Sequence, residues 1–230
     1  MAFDLQTFKT RALSAIIFVV VMLGAIFYSL NSFIILFLIV HTGCLIEYNK
    51  LTKNASTIHT KTAHLLYSLF GLAYMTASFF AITHLASAHW ALILGTTQYY
   101  ILPMLVIVSI WINDTMAYMV GSFIGKTPLS VVSPKKTWEG TIGGALLAVV
   151  AVVLLGKVLT NLSYQTLVIV SVTAAITGTI GDLIESKFKR MAGVKDSGNI
   201  LPGHGGFFDR FDSLLLAGPC VWLMLTLFAQ

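Results

Sequence analysis

Seven long apolar runs separated by short charged loops constrain this chain more than any other feature. They fall at roughly 12–29, 31–48, 64–84, 100–123, 140–160, 165–185 and 212–229. A helix needs about 20 apolar residues to cross the hydrocarbon core of a bilayer. The runs are continuous rather than alternating, so they read as helices and not as strands of a barrel. Only 10% of the 230 residues are charged and 57% are hydrophobic, whereas a soluble domain carries about 25% charged residues. The expectation is an all-α, polytopic transmembrane helical bundle of about seven spans, forming a single integral membrane domain over 1–230. Ser29 and Asn31 separate the first two runs, which form either a tight hairpin or one broken helix. The stretch 85–99, with Trp90, is an interfacial segment or a short eighth span. The first run is too long for a signal-peptide core and reads as an uncleaved anchor. Cys44 and Cys220 lie alone in apolar runs and read as inert buried thiols, not as a disulfide or metal site.

The basic residues are sorted along the chain. Lys9 and Arg11 precede the first run; Lys50, Lys53 and Lys61 occupy 49–63; Lys126, Lys135 and Lys136 occupy 124–139; Lys187, Lys189, Arg190, Lys195 and Arg210 occupy 186–211. With seven spans these segments share one side of the membrane and hold 13 of the 14 Lys and Arg residues, Lys157 being the other. The positive-inside rule then places the N-terminus and these loops in the cytoplasm. Seven of the nine Asp and Glu residues lie at or after position 114. Residues 1–100 therefore read as helical scaffold and 110–215 as the catalytic half, with cytoplasmic loops 124–139 and 186–211. Loops that interleave lysines with acids and glycines need an anionic partner, either a phospholipid head group or a nucleotide phosphate. No stretch resembles a nucleic-acid reading module, so nucleic acid is not expected as a partner.

Four constellations carry the chemistry. In the first, Asp114 sits within a span, with Tyr118, Gly121, Ser122 and Gly125 on the same helical face. A mid-membrane carboxylate costs about 2.5–3.5 kcal/mol on insertion scales, so it needs a partner or a wet cavity; the bland alternative is a helix-packing seam of small residues. The second is Ser133-Pro134-Lys135-Lys136-Thr137-Trp138-Glu139-Gly140. Serine before proline predicts a helix start with Ser133 as cap, whose free N–H groups and nearby lysines would bind an anion; two snorkelling lysines are the alternative. In the third, Asp182, Glu185, Ser186 and Lys189 form one polar stripe as a span leaves the membrane. A Glu185–Lys189 ion pair explains part of that stripe and leaves Asp182 over. In the fourth, Gly203, Gly205 and Gly206 surround His204 and precede Asp209 and Asp212. His204 is a candidate acid, base or hydrogen-bonding anchor. Converging carboxylates favour a hard divalent ion, and Mg²⁺ fits oxygen ligands and substrate phosphates.

The segment Ser186-x-Phe188-Lys189-Arg190, then Lys195-Asp196-x-Gly198, Leu201-Pro202-x-His204-Gly205-Gly206-Phe207-x-Asp209-Arg210-Phe211-Asp212, spans 27 residues with 17 specified positions. It resembles the signature of the phosphatidate cytidylyltransferases, also called CDP-diacylglycerol synthases. Asp114-Thr115-x-Ala117-Tyr118 to Gly125-Lys126 and Ser133 to Gly140 are similar to that family as well, so the resemblance covers about 110–215. The chain is short for the family, and the expectation is that an N-terminal helix or two is missing. The resemblance implies transfer of the cytidylyl group of CTP to phosphatidate in a membrane, giving CDP-diacylglycerol and pyrophosphate, with Mg²⁺. It implies a two-metal centre on Asp182 and Asp209; beside them Asp212 and Asp114 read as reserve ligands or as groups that support the ligands. Lys187, Lys189, Arg190, Lys195 and Arg210 would hold phosphates, with Ser186, Asp196, His204, Gly205 and Gly206 beside them, and Ser133, Lys135 and Lys136 would form a second clamp. The compact chain points to a bacterial cytoplasmic (inner) membrane, and a homodimer is left open. Alternatives are a related CTP-dependent lipid enzyme (a CDP-archaeol synthase or a lipid kinase) and an ion-coupled transporter, whose sites would lie in two repeated halves.

Overall fold

A computed structural model describes residues 5–55, 58, 60–96, 98–200 and 205–228, with side chains from residue 12 onward. The expected helices form: α1 (Leu5–Tyr28), α2 (Leu30–Asn54), α3 (Lys61–Leu85), α5 (Ile101–Ile124), α6 (Trp138–Leu159), α7 (Tyr164–Met191) and α8 (Phe208–Phe228). Six of them are long and apolar enough to cross a membrane, and Ala12–Tyr28 in α1 is a shorter apolar helix. The chain is a multi-pass integral membrane protein. The stretch 85–99 contributes only α4 (Ala88–Ile93). Six residues rise about 9 Å, far short of the roughly 30 Å hydrocarbon core, so the described residues of this stretch form no eighth span. Neither Cys44, which is buried, nor Cys220, which is half-buried, is in a disulfide.

The break between α1 and α2 is a capping device. Ser29 is in extended conformation at the start of α2; its side chain accepts from the Ser32 N–H, and the Ser32 hydroxyl accepts from the Ser29 N–H. Two otherwise orphaned donors are thereby satisfied reciprocally, which separates the helices at that residue.

One expectation is corrected. Ser133 does not cap a helix. Residues Ser133–Thr137 form strand β2, paired antiparallel with β1 (Pro128–Ser130). Helix α6 starts at Trp138, with Thr137 as its cap accepting from the Gly140 N–H at 3.1 Å. Thr137 is itself a good cap residue, and the acid Glu139 falls in the first turn, where the helix dipole favours it. Had Ser133 been the cap, Lys135 and Lys136 would have held that unfavourable place. Proline biases the residue before it toward extended backbone, which suits a strand equally well. Glu139 also closes the hairpin onto the end of α5, accepting from the Lys126 N–H, the Thr127 N–H and the Thr127 hydroxyl.

The chain divides into two compact units. The first comprises Met1–Thr76 and Phe188–Phe211, the second Ala77–Lys187 and Asp212–Gln230. In the first unit the core centres on Tyr48, which is fully buried. Its ring meets Phe188 edge-on at 5.0 Å and Phe208 at 6.0 Å, and its hydroxyl donates to the Tyr67 carbonyl. In the second unit His84 Nδ1 accepts from the indole N–H of both Trp90 and Trp222, tying α3, α4 and α8 together. The α5–α6 seam is made of small residues. A Cβ on Gly140 would lie 2.9 Å from the Gly121 Cα, and one on Gly144 would lie 2.5 Å from the Ala117 nitrogen. The packing seam expected as one reading of this segment is therefore present.

Gly144→Ala would push a methyl into backbone rather than into a yielding side chain. The expected cost is about 1–3 kcal/mol of overpacking, seen as a lower thermal unfolding midpoint in detergent. An unchanged midpoint would contradict the close α5–α6 contact.

Candidate functional site

The second unit holds a cavity of about 500 Å³ between α5, α6, α7 and the β hairpin, lined by Asp114, Tyr118, Ser122, Lys135, Lys136 and Asp182 among others. Its polar wall follows from helix periodicity. Asp114, Tyr118 and Ser122 recur on one face of α5, while Ala117 and Gly121 form the seam with α6. Strand β2 delivers the lysines: Lys135 is exposed, and the Lys136 ammonium donates to Asp182 Oδ2 as an ion pair. The Ser186 hydroxyl donates to Asp182 Oδ1 at 3.3 Å, one turn along α7. The Asn113 amide donates weakly to Asp114 Oδ1 at 3.5 Å and to the Thr179 hydroxyl at 3.4 Å.

Asp182 belongs to a second grouping. Carboxylate oxygens of Asp182, Glu185 and Asp212 lie within 4.8 Å of one another. Gly181 explains how α8 comes near enough. A Cβ there would lie 2.6 Å from the Asp212 carbonyl oxygen and 3.2 Å from the Ser213 Cα. Three carboxyl groups gathered among apolar helices are costly to charge unless donors or cations meet them. An all-oxygen donor set of this kind suits a hard divalent cation such as Mg²⁺.

The first unit arranges the loop after α7. Asp209, in the first turn of α8, has its oxygens engaged by four donors. Oδ1 accepts from Lys189 Nζ at 2.8 Å; Oδ2 accepts from the Ser197 N–H at 2.7 Å, the Ser197 hydroxyl at 2.9 Å and the Gly206 N–H at 2.8 Å. Gly205 adopts φ +87°, a left-handed backbone that glycine enters without penalty. Lys187, Arg190, Lys195, Asp196 and Arg210 are exposed, each in its own unit. His204 lies outside the described residues.

Of the acids expected at the metal, the structure groups Asp182 with Asp212, sets Asp114 in the adjoining cavity wall, and gives Asp209 a set of hydrogen-bond donors. The sequence places Glu185 in the polar stripe, and its i, i+3 spacing from Asp182 sets both on one face of α7. Glu47 was passed over. It is buried on α2 and accepts from the Phe207 and Phe208 N–H groups and the Ser197 hydroxyl. The signal was available: a carboxylate inside an apolar run needs partners.

A model of the cytidylyltransferase family matches residues 60–228. Phosphatidate cytidylyltransferase of Staphylococcus haemolyticus is 48% identical over 118 residues, which are 50% of this chain and 45% of that protein. The phosphatidate cytidylyltransferase of Bacillus subtilis is 44% identical over 124 residues, covering 53% of this chain and 46% of that protein. That of Staphylococcus saprophyticus is 45% identical over 118 residues, 50% of this chain and 45% of its own length. The matched stretch thus spans about half of this chain and a little under half of these relatives.

Asp209→Asn would set an amide against donors that now meet a carboxylate. The expected loss is about 2–4 kcal/mol, since charge-assisted bonds at a mostly buried site are removed. Thermal unfolding in detergent measures it, and a midpoint equal to wild type would show that the four donors do not depend on the charge.

Proposed function

Because the chain belongs to the cytidylyltransferase family, we propose that it transfers the cytidylyl group of CTP to phosphatidate, giving CDP-diacylglycerol and pyrophosphate. The observation that carries this reading is one cavity in which Lys135 and Lys136 face Asp114 and Asp182, with Asp182 also part of the Asp182–Glu185–Asp212 group. Cations for phosphate and oxygens for a divalent ion thereby adjoin within a membrane-spanning unit, as a reaction between a nucleotide and a lipid phosphate requires. The charged loops face the cytoplasm in this reading, and the membrane is the bacterial inner membrane.

In the reaction a phosphate oxygen of phosphatidate forms a bond to the α-phosphorus of CTP. The bond from that phosphorus to the oxygen bridging the β-phosphate breaks, and its electron pair leaves with pyrophosphate. The nucleophile is already an anion, so the chain need not supply a strong base. The obstacle is repulsion between two polyanions. Lys136, now on Asp182, can turn its ammonium to a phosphate oxygen, and exposed Lys135 adds a second positive charge. Asp182, Glu185 and Asp212 would hold Mg²⁺, which when bound supplies charge neutralisation on phosphate oxygens. Asn113 and Thr179 steady the Asp114 side of the cavity. Fixing both substrates in line supplies much of the remaining rate.

The test uses the purified full chain in detergent with phosphatidate, Mg²⁺ and CTP labelled at the α-phosphate. The expected result is label in the lipid only when Mg²⁺ is present, with a loss of at least about a hundredfold in Asp182→Asn. In a parallel reaction with CTP labelled at the γ-phosphate, label in the lipid would instead indicate a lipid kinase. A fully active Asp182→Asn protein would remove the metal assignment.

A further inference from the structure

Glu47 lies near the end of α2, ahead of the stretch matched by the family, residues 60–228, and the chemistry above does not use it. Its carboxylate nevertheless organises the loop that follows α7. Oε1 accepts from the Phe207 N–H at 3.0 Å, while Oε2 accepts from the Phe208 N–H at 2.9 Å and the Ser197 hydroxyl at 2.6 Å. Phe208 opens α8, so the acid sits at a helix N-terminus, where free N–H groups and the dipole both favour negative charge. Gly198 and Gly206 lie close against the carboxylate. A Cβ on Gly198 would overlap Oε1, and one on Gly206 would overlap Oε2. Any side chain at either glycine would displace the acid or the loop.

Glu47 therefore grips both ends of the loop, at Ser197 and at Phe207–Phe208. Two residues before Ser197 stands exposed Lys195, and two after Phe208 stands exposed Arg210. The Ser197 hydroxyl also lies 2.9 Å from Asp209 Oδ2, and Asp209 Oδ1 holds Lys189 at 2.8 Å. One buried acid thus sets the backbone that carries two exposed cations and adjoins a third. We infer that Glu47 is a positioning residue. It touches no substrate, and it fixes the spacing of Lys195 and Arg210 so that together they grip phosphate groups. The inference rests on the cytidylyl transfer proposed above, in which these cations hold phosphates of CTP or phosphatidate.

The test is steady-state kinetics on the full chain in detergent, varying CTP and phosphatidate separately. Glu47→Gln keeps the shape but sets an amide N–H₂ against backbone donors. The expected result is a rise of at least about tenfold in KM for one of the two substrates, with the other within about threefold. Glu47→Asp, which keeps the charge on a shorter stem, recovers part of the loss. Ser197→Ala raises the same KM, and the double variant Glu47→Gln/Ser197→Ala is no worse than Glu47→Gln. Should Glu47→Gln fail to insert, Ser197→Ala carries the same comparison. A variant that only folds less well lowers the amount of active enzyme and leaves both KM values at wild type; that result overturns the inference. If the wild-type chain turns over neither substrate, the cytidylyl reading fails by itself, and amide exchange then decides the positioning role. Faster exchange at Phe207 and Phe208 in Glu47→Gln supports it, and unchanged protection overturns it.

Discussion

Carboxylates among apolar helices set the terms of this structure. A buried charge must be met by donors, by an opposite charge or by an ion, because the membrane offers no water to solvate it. Asp209 and Asp182 meet that requirement differently. Asp209 takes four donors from its own loop and from Lys189. Asp182 takes one lysine and one hydroxyl and still has two further carboxylates close by. The first arrangement is satisfied and rigid. The second gathers three carboxyl groups, an oxygen set of the kind that suits a divalent cation.

Glycine makes both arrangements reachable. Gly181 lets the α8 backbone approach α7 closely enough for Asp212 to join Asp182. Gly140 and Gly144 bring α6 against α5, so that the strand leading into α6 delivers Lys136 to the cavity. Gly198 and Gly206 leave room for the Glu47 carboxylate inside its loop. In each case the missing side chain, more than backbone freedom, is what counts. Two main chains, or a main chain and an acid, occupy space that a Cβ would fill.

The helices were legible because hydrophobic length in a membrane chain is a strong, nearly local signal. Among the described residues six of the expected runs form helices long and apolar enough to span and Ala12–Tyr28 forms a shorter one, while the ends of α7 and α2 run a few residues past the apolar runs. The start of α6 was misread because Ser133-Pro134 and Thr137 both carry helix-start chemistry. Strand pairing with Pro128–Ser130 decided between them, and pairing is not local. The carboxylates of α7 and α8 were legible as candidates from their depth and spacing. Their grouping was not, since it depends on the close approach at Gly181. Glu47 shows the limit most clearly: its partners lie 150 or more positions away in sequence, so only its isolation in an apolar run marked it.

The central claim is that Asp182, Glu185 and Asp212 form one divalent-cation site in a membrane-spanning unit. Electron paramagnetic resonance of Mn²⁺ added to the purified chain, without substrate, tests it most directly. One saturable protein-bound Mn²⁺ signal is expected, competed by Mg²⁺ and weakened in Asp212→Asn. A titration that is the same in wild type and Asp212→Asn, or that shows no bound Mn²⁺, would contradict the claim.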